Sequence, residues 1–286
     1  MTNYSMRRFK DRLALWLGAL CAVLAMIPLI SILYEVLKNG ASSINFDFLT
    51  TPPGVVGLAG GGIGPAIQGT LILVGLTVLI GVPLGVLSGI YLSEFGDNPV
   101  GRVIRFLNDV LAEFPSVVIG VVIFTLIVLT LKSFSVIAGA LALSIIMLPI
   151  ITRSTEESLK LVPNSIRDAS MALGIRRWRT TLSVVLTTAK SGVITGILLA
   201  IARVAGESAP LVFTILGSQY FFSGINSPMD ALPLRIYRLA LLPYASSQAQ
   251  GWGAALVLIL MVLTVNIGVR FATRGRLYST RERQRA

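Results

Sequence analysis

The sequence predicts an all-α polytopic membrane protein of about six spanning helices. Of its 286 residues 54% are hydrophobic and only 13% charged, where a soluble domain carries about 25% charged residues. The mean hydropathy is +0.81. The apolar residues also fall in runs of the length a bilayer requires, about 20 residues for each crossing helix.

Apolar runs punctuated by Gly and Pro place spans near 13–37, 65–93, 103–131, 134–152, 183–205 or beyond, and 253–273. The first run is too long for a signal core and no small-residue cleavage site follows it, so it reads as a retained span. In the second, Gly81, Gly85 and Gly89 recur every four residues, giving a face that another helix can approach closely. Pro83 and Pro115 remove backbone hydrogen bonds inside apolar runs and mark places where a helix bends or carries a static kink. Asp109 and Glu113, near the start of the third run, read as interfacial charges.

Orientation follows from Lys and Arg, because cytoplasmic loops hold the excess. With the N-terminus inside, cytoplasmic segments hold 18 of the 24 basic residues, whereas Lys38, Lys132, Arg235 and Arg238 fall outside. Lys190 and Arg203 remain within the fifth span, Lys190 near enough to its cytoplasmic end to snorkel. Both termini are then cytoplasmic, and the net charge of +11 is a topology signal before it is a nucleic-acid signal. This divides the chain into 1–60 (N-terminus, first span and external segment), a core of spans 61–273, and a basic tail 274–286. Within the core, 153–182 is a cytoplasmic segment and 206–252 an external one.

Composition also excludes chemistry. The one cysteine, Cys21, permits no intrachain disulfide and no thiolate metal cluster. With no histidine in the chain, the usual zinc ligand and general base are missing. Gly60-Gly61-Gly62 lacks the Gly-Lys-Ser/Thr ending that places a lysine and a hydroxyl on nucleotide phosphates. If ATP drives this protein, another chain binds it.

In 153–182 helical spacing runs up to Gly174 and resumes after it, which predicts a helix-turn-helix knob on the membrane surface. The alternative is a basic amphipathic segment lying on anionic lipid, which Arg176, Arg177, Trp178 and Arg179 would allow. Asp168-Ala169-Ser170, three residues, Gly174, nine residues, Val184, one residue, Leu186 resembles the EAA loop of ABC importer permeases. Asp168 stands where that pattern has Glu, and Thr187 where proline is common. The resemblance implies a coupling helix around Asp168, Ala169 and Gly174 that docks on a cytoplasmic ATPase.

The fifth span ends in "IARVAGESAPLVFT" (201–214). On a helix, Gly192, Gly196, Ala200, Arg203 and Glu207 fall within about 80° of arc at 100° per residue. One face therefore begins as small residues and ends in an arginine and a carboxylate. A charge at the centre of a span costs about 2.5–3.5 kcal/mol, so such groups usually face a bundle interior or a water-filled path. Arg203 has the fixed fork of donors suited to an oxyanion. Glu207 can hold Arg203 when no anion is present and compete with one that passes. Two other readings stay open, a structural ion pair and an arginine that snorkels to the outer interface.

Together with 61–95, 113–124 and 161–178, the stretch 202–214 resembles the permease subunits of the phosphate-specific ABC importer. The resemblance is closest to the type whose glutamate motif continues Ser-Ala-Pro-Leu with Phe-Thr. It implies half of a phosphate path, a homologous second permease, a dimeric cytoplasmic ATPase that holds ATP and Mg, and an external phosphate-binding protein. No cofactor is then expected in this chain, and its place is the inner membrane. The rivals are a permease for sulfate or a phosphonate, a secondary anion transporter, and a non-transporting sensory or scaffold subunit.

Overall fold

The computed structural model describes residues 4–58 and 60–282; the tail beyond Glu282 lies outside the described residues. The described chain is helical, with only two isolated β-bridges, Pro53 to Gly61 and Leu216 to Met229. In order the helices are α1 (Tyr4–Gly40), α2 (Phe46–Thr50), α3 (Gly64–Phe95), α4 (Pro99–Glu113), α5 (Ser116–Ile123), α6 (Leu129–Leu131), α7 (Val136–Lys160), α8 (Asn164–Ala172), α9 (Arg177–Thr180), α10 (Leu186–Ala205), α11 (Ala209–Thr214), α12 (Leu232–Ala240) and α13 (Ala245–Glu282). Single π turns join α5 to α6 (Phe124–Val128) and α9 to α10 (Thr181–Val185). Five helical stretches are long and apolar enough to cross a membrane, and a bent pair makes a sixth.

The centre of the bundle is the pairing of α3 with α7, made by the glycine face read from the sequence. A Cβ on Gly81 would stand 2.9 Å from Met147 Sδ, on Gly85 2.8 Å from Ile151 Cβ, and on Gly89 2.7 Å from the Thr152 carbonyl oxygen. Partner numbers rise together, so the two helices run parallel. On the other side of α7, Gly192 faces Ser158 and Gly196 faces Ser154, so α10 runs antiparallel to it. Leu143, Met147, Ile151, Ala200, Leu211 and Ile215 fill the space between these helices. By contrast, the apolar stretch of α1 is wholly exposed. It meets α13 at Gly40, where a Cβ would stand 2.7 Å from the Trp252 carbonyl oxygen.

The third span differs from the expected 103–131. α4 and the helix running from Ser116 to Leu131 meet at 104°. Pro115 donates no backbone hydrogen bond and pushes the residue before it out of the helical region; Phe114 sits at φ −64°, ψ 132°. Asn98 caps the start of α4, accepting from Gly101 N at 2.9 Å. α4 is amphipathic, with Arg102, Arg105, Asn108 and Asp109 set against Val103, Phe106 and Leu107, as suits a surface helix and not a crossing one. Pro83 and Pro149, in contrast, lie inside unbroken helices.

α7 continues to Lys160, so the first eight residues of the segment 153–182 belong to the bundle and the knob proper begins after them. Similarly, 209–214 of the segment 206–252 forms α11, whose Pro210, Leu211 and Thr214 are buried. A Cβ on Gly120 of α5 would stand 2.7 Å from Pro210 Cα. The chain then leaves the bundle through Leu216 and Gly217, both at positive φ, and returns to α12 at Asp230. That carboxylate is buried against Arg235 at 2.5 Å. Burial raises its pKa above the usual 3.8, and Arg235 opposes the rise.

Candidate functional site: an arginine cleft inside the bundle

α10 ends at Ala205 because Gly206 follows and Pro210 cannot continue the ladder. Glu207 therefore lies just past the helix, in a turn where its N–H donates to the Val204 carbonyl at 3.2 Å. It still faces Arg203, with Nε 3.9 Å from Oε1. The projection of both groups onto one helical face thus ends at Arg203, although the pairing survives the turn.

The packing places Arg203 in depth. Gly192 against Ser158 and Gly196 against Ser154 set the antiparallel register of α10 on α7. Arg203 is seven residues beyond Gly196, about 10 Å at 1.5 Å per residue, which brings it level with Met147. Met147 packs on Gly81, and both lie near the middle of their helices. The span holding Arg203 runs Arg177–Ala205 and Arg203 lies in its last turn, so its depth follows from the register of α10 on α7 and not from its position along α10.

At this depth the Arg203 side chain is 59% exposed, while that of Glu207 is 19% exposed. Arg203 opens into a cleft of about 450 Å³, walled by Leu111 and Ala112 of α4, Ser116 of α5, and Pro149, Arg153 and Glu157 of α7. Arg153 lies six residues along α7 from Met147, about 9 Å nearer the α8 end, and its Nε is 3.2 Å from Glu157 Oε1. The cleft thus holds two arginines in succession, each with a glutamate four residues on.

These two differ from the arginines that hold the fold together. Arg105 spends its donors on Glu156 and on the Gly96 and Leu92 carbonyls. Arg235 binds Asp230 and the Ser218 carbonyl. Arg153 and Arg203 each face a single carboxylate, Arg153 at 3.2 Å and Arg203 at a looser 3.9 Å, and both line the cleft, an arrangement suited to a transient oxyanion. By sequence Arg153 belongs to the cytoplasmic segment 153–182 as one of its topology charges. The cue was present, because "RSTEE" (153–157) repeats the Arg-to-Glu spacing of 203–207.

The other sequence-predicted residues, Asp168, Ala169 and Gly174, lie apart from the cleft on the α8–α9 knob. Asp168 and Ala169 are exposed on α8. Gly174 has φ +79° with no atom within 4 Å of where a Cβ would stand, so the turn needs glycine for conformation and not for room. Ser170 Oγ and Thr180 Oγ1, 2.9 Å apart, join the two arms of the knob. Leu173, 82% exposed, and Trp178 give it an apolar outer surface. Arg167 and Arg177 turn inward, toward Glu94 and Phe95 of α3. The helix runs unbroken through Thr187.

The family described as "Binding-protein-dependent transport system inner membrane component" matches residues 81–275. The chain belongs to that family. It is 41% identical to the phosphate transport system permease protein PstA of Yersinia pestis, over 92% of this chain and 90% of that protein. Identity to the PstA of Xylella fastidiosa strain 9a5c is also 41%, over 93% of each. The probable PstA of Methanocaldococcus jannaschii is 38% identical, over 94% of this chain and 96% of its own length. The fold is that of solved ABC importer permeases. A chain of the bacterial alginate ABC transporter, in complex with alginate pentasaccharide-bound periplasmic protein, superposes with a TM-score of 0.68 at 14% identity, covering 94% of this chain and 96% of that one. A chain of the inward-facing MetNI methionine ABC transporter gives 0.57 at 17% identity, covering 74% and 93%.

Proposed function

We propose that this chain is a permease subunit of an ATP-driven importer that carries inorganic phosphate across the inner membrane, and that it forms half of the translocation path. The observation that carries the reading is a mid-bundle arginine open to a cleft, in a chain about 40% identical to phosphate permeases over nearly its whole length. Both termini and the α8–α9 knob lie on the cytoplasmic side, in keeping with the distribution of Lys and Arg. A homologous permease supplies the other half of the path, an external phosphate-binding protein delivers the anion, and a dimeric ATPase docked on the knob binds ATP and Mg²⁺. This chain contributes no cofactor and catalyses no reaction.

In this reading phosphate exchanges with Glu207 for the donors of Arg203, then moves about 9 Å along α7 to Arg153, where Glu157 is the competing carboxylate. Competition at each step keeps binding weak enough for release. ATPase closure displaces the knob, and the walls of the cleft open alternately to the two sides. Anion competition against labelled phosphate uptake by the assembled complex tests the substrate. Inhibition by arsenate, the isosteric oxyanion, at far lower concentration than by sulfate is expected; preferential inhibition by sulfate would move the assignment to another oxyanion.

A further inference from the structure

Three arginines from three helices converge on the last turn of α3. Arg167 of α8 donates to Glu94 Oε1 from Nε at 3.2 Å and from Nη2 at 2.8 Å, and also to the carbonyls of Leu159, at 2.9 Å, and Val162. Arg177 of α9 donates to the Glu94 carbonyl and lies 4.7 Å over the Phe95 ring. Arg105 of α4 donates to the carbonyls of Leu92 at 2.9 Å and Gly96 at 3.1 Å, and to Glu156 of α7 at 3.0 Å. The central pair is withdrawn from water, with 5% of the Glu94 side chain exposed and 15% of Arg167.

The two arms of the knob, on either side of Gly174, are therefore both fastened to Glu94 of α3, one through its carboxylate and the other through its carbonyl. From there α3 lies along α7 through its glycine face, and Arg105 fastens α4 to the same turn. α7 and α4 both line the arginine cleft. The covalent route from α9 to α10 passes instead through the π turn at Thr181–Val185, an irregular turn of the kind often found at functional joints.

We propose that residues 92–96 form a transmission junction in which Glu94 and Arg167 are positioning residues, passing displacement of the knob to α3 and through it to both cleft walls. This rests on the reading of the chain as an ATP-driven permease. Glu94 and Arg167 touch neither substrate nor nucleotide. Their contribution is to make the knob and α3 move as one body, since a buried, doubly hydrogen-bonded ion pair resists separation.

The test is the ratio of phosphate transported to ATP hydrolysed by the full complex in liposomes with its binding protein. The variants are Glu94→Gln, Glu94→Gln with Arg167→Gln, and the exchanged pair Glu94→Arg with Arg167→Glu. The ratio is expected to fall at least about fivefold in the first two, within the ~5–150-fold range of coupling between sites, while hydrolysis continues. The exchanged pair should recover part of it. A wild-type ratio in an assembled Glu94→Gln complex overturns the proposal. If that single variant fails to assemble, the double Gln variant, which leaves no buried charge unpaired, is decisive: a normal ratio or a failure to assemble would each reduce the pair to a structural tie. Absence of phosphate uptake by the wild type would instead refute the underlying permease reading.

Discussion

Arg203 and Glu207 face each other at 3.9 Å across the end of α10, whereas Arg235 and Asp230 close to 2.5 Å. The first contact is loose enough for an anion to enter, and in the proposed path Glu207 is the competitor of that anion. Replacing Glu207 by Gln should therefore raise phosphate retention by the solubilised complex in the absence of ATP about tenfold, or ~1.4 kcal/mol. Uptake should fall, because release slows. Equilibrium binding of labelled phosphate checks this, and unchanged retention would remove Glu207 from the path.

Arg153→Gln should lower the rate of uptake severalfold in a complex of normal abundance, by removing the second stop in the cleft. Arg102→Gln removes a positive charge from α4 at a residue that does not line the cleft, and should leave uptake near wild type. Equal loss in both variants would mean that charge on this side of the membrane matters and position in the cleft does not.

Gly174→Pro forces φ near −65° at a turn that sits at +79°. Hydrolysis of ATP should persist while uptake is lost. Gly174→Ala meets no neighbour within 4 Å, so its effect is that of the left-handed backbone alone, roughly 1–2 kcal/mol, and it should couple partially. Fully coupled transport by the proline variant would contradict docking through this turn.

Gly89→Val should destabilise the protein by about 1–3 kcal/mol, the usual cost of overpacking, because a Cβ there meets the Thr152 carbonyl at 2.7 Å. Gly75 is in the same helix with nothing within 4 Å, and Gly75→Ala should be neutral or slightly stabilising. Thermal unfolding of the two variants in detergent separates them.

A raised Asp230 pKa means that the folded protein holds this proton more tightly than the unfolded chain. Stability should therefore decline as pH climbs through the interval just above 3.8. Unfolding midpoints measured across that interval should show this slope, and Asp230→Asn should abolish it.

The span count, the α3 glycine face, the knob around Gly174 and the Arg203–Glu207 pairing were all legible in the sequence, because each follows from local periodicity or from one conspicuous residue. The break at Pro115 was half legible. Its proline is conspicuous, whereas the polar stripe of Arg102, Arg105, Asn108 and Asp109 that marks a surface helix lies within a run apolar enough to pass for a crossing one. Arg153 falls in the cytoplasmic segment as a topology charge and nothing local singles out Glu94, since only the tertiary packing places one in the cleft and buries the other under Arg167. The extension of α7 to Lys160 and the inward course of α11 were equally tertiary matters, decided by Ser154 and Ser158 meeting Gly196 and Gly192, and by Pro210 meeting Gly120.

The central claim is that Arg203 belongs to the phosphate path. Labelled-phosphate uptake by the assembled complex, wild type against Arg203→Gln and normalised to complex in the membrane, tests it most directly. Wild-type uptake with loss of transport in an assembled Arg203→Gln complex is the predicted result. Equal uptake by the two would contradict the account and leave Arg203 a structural residue of the bundle.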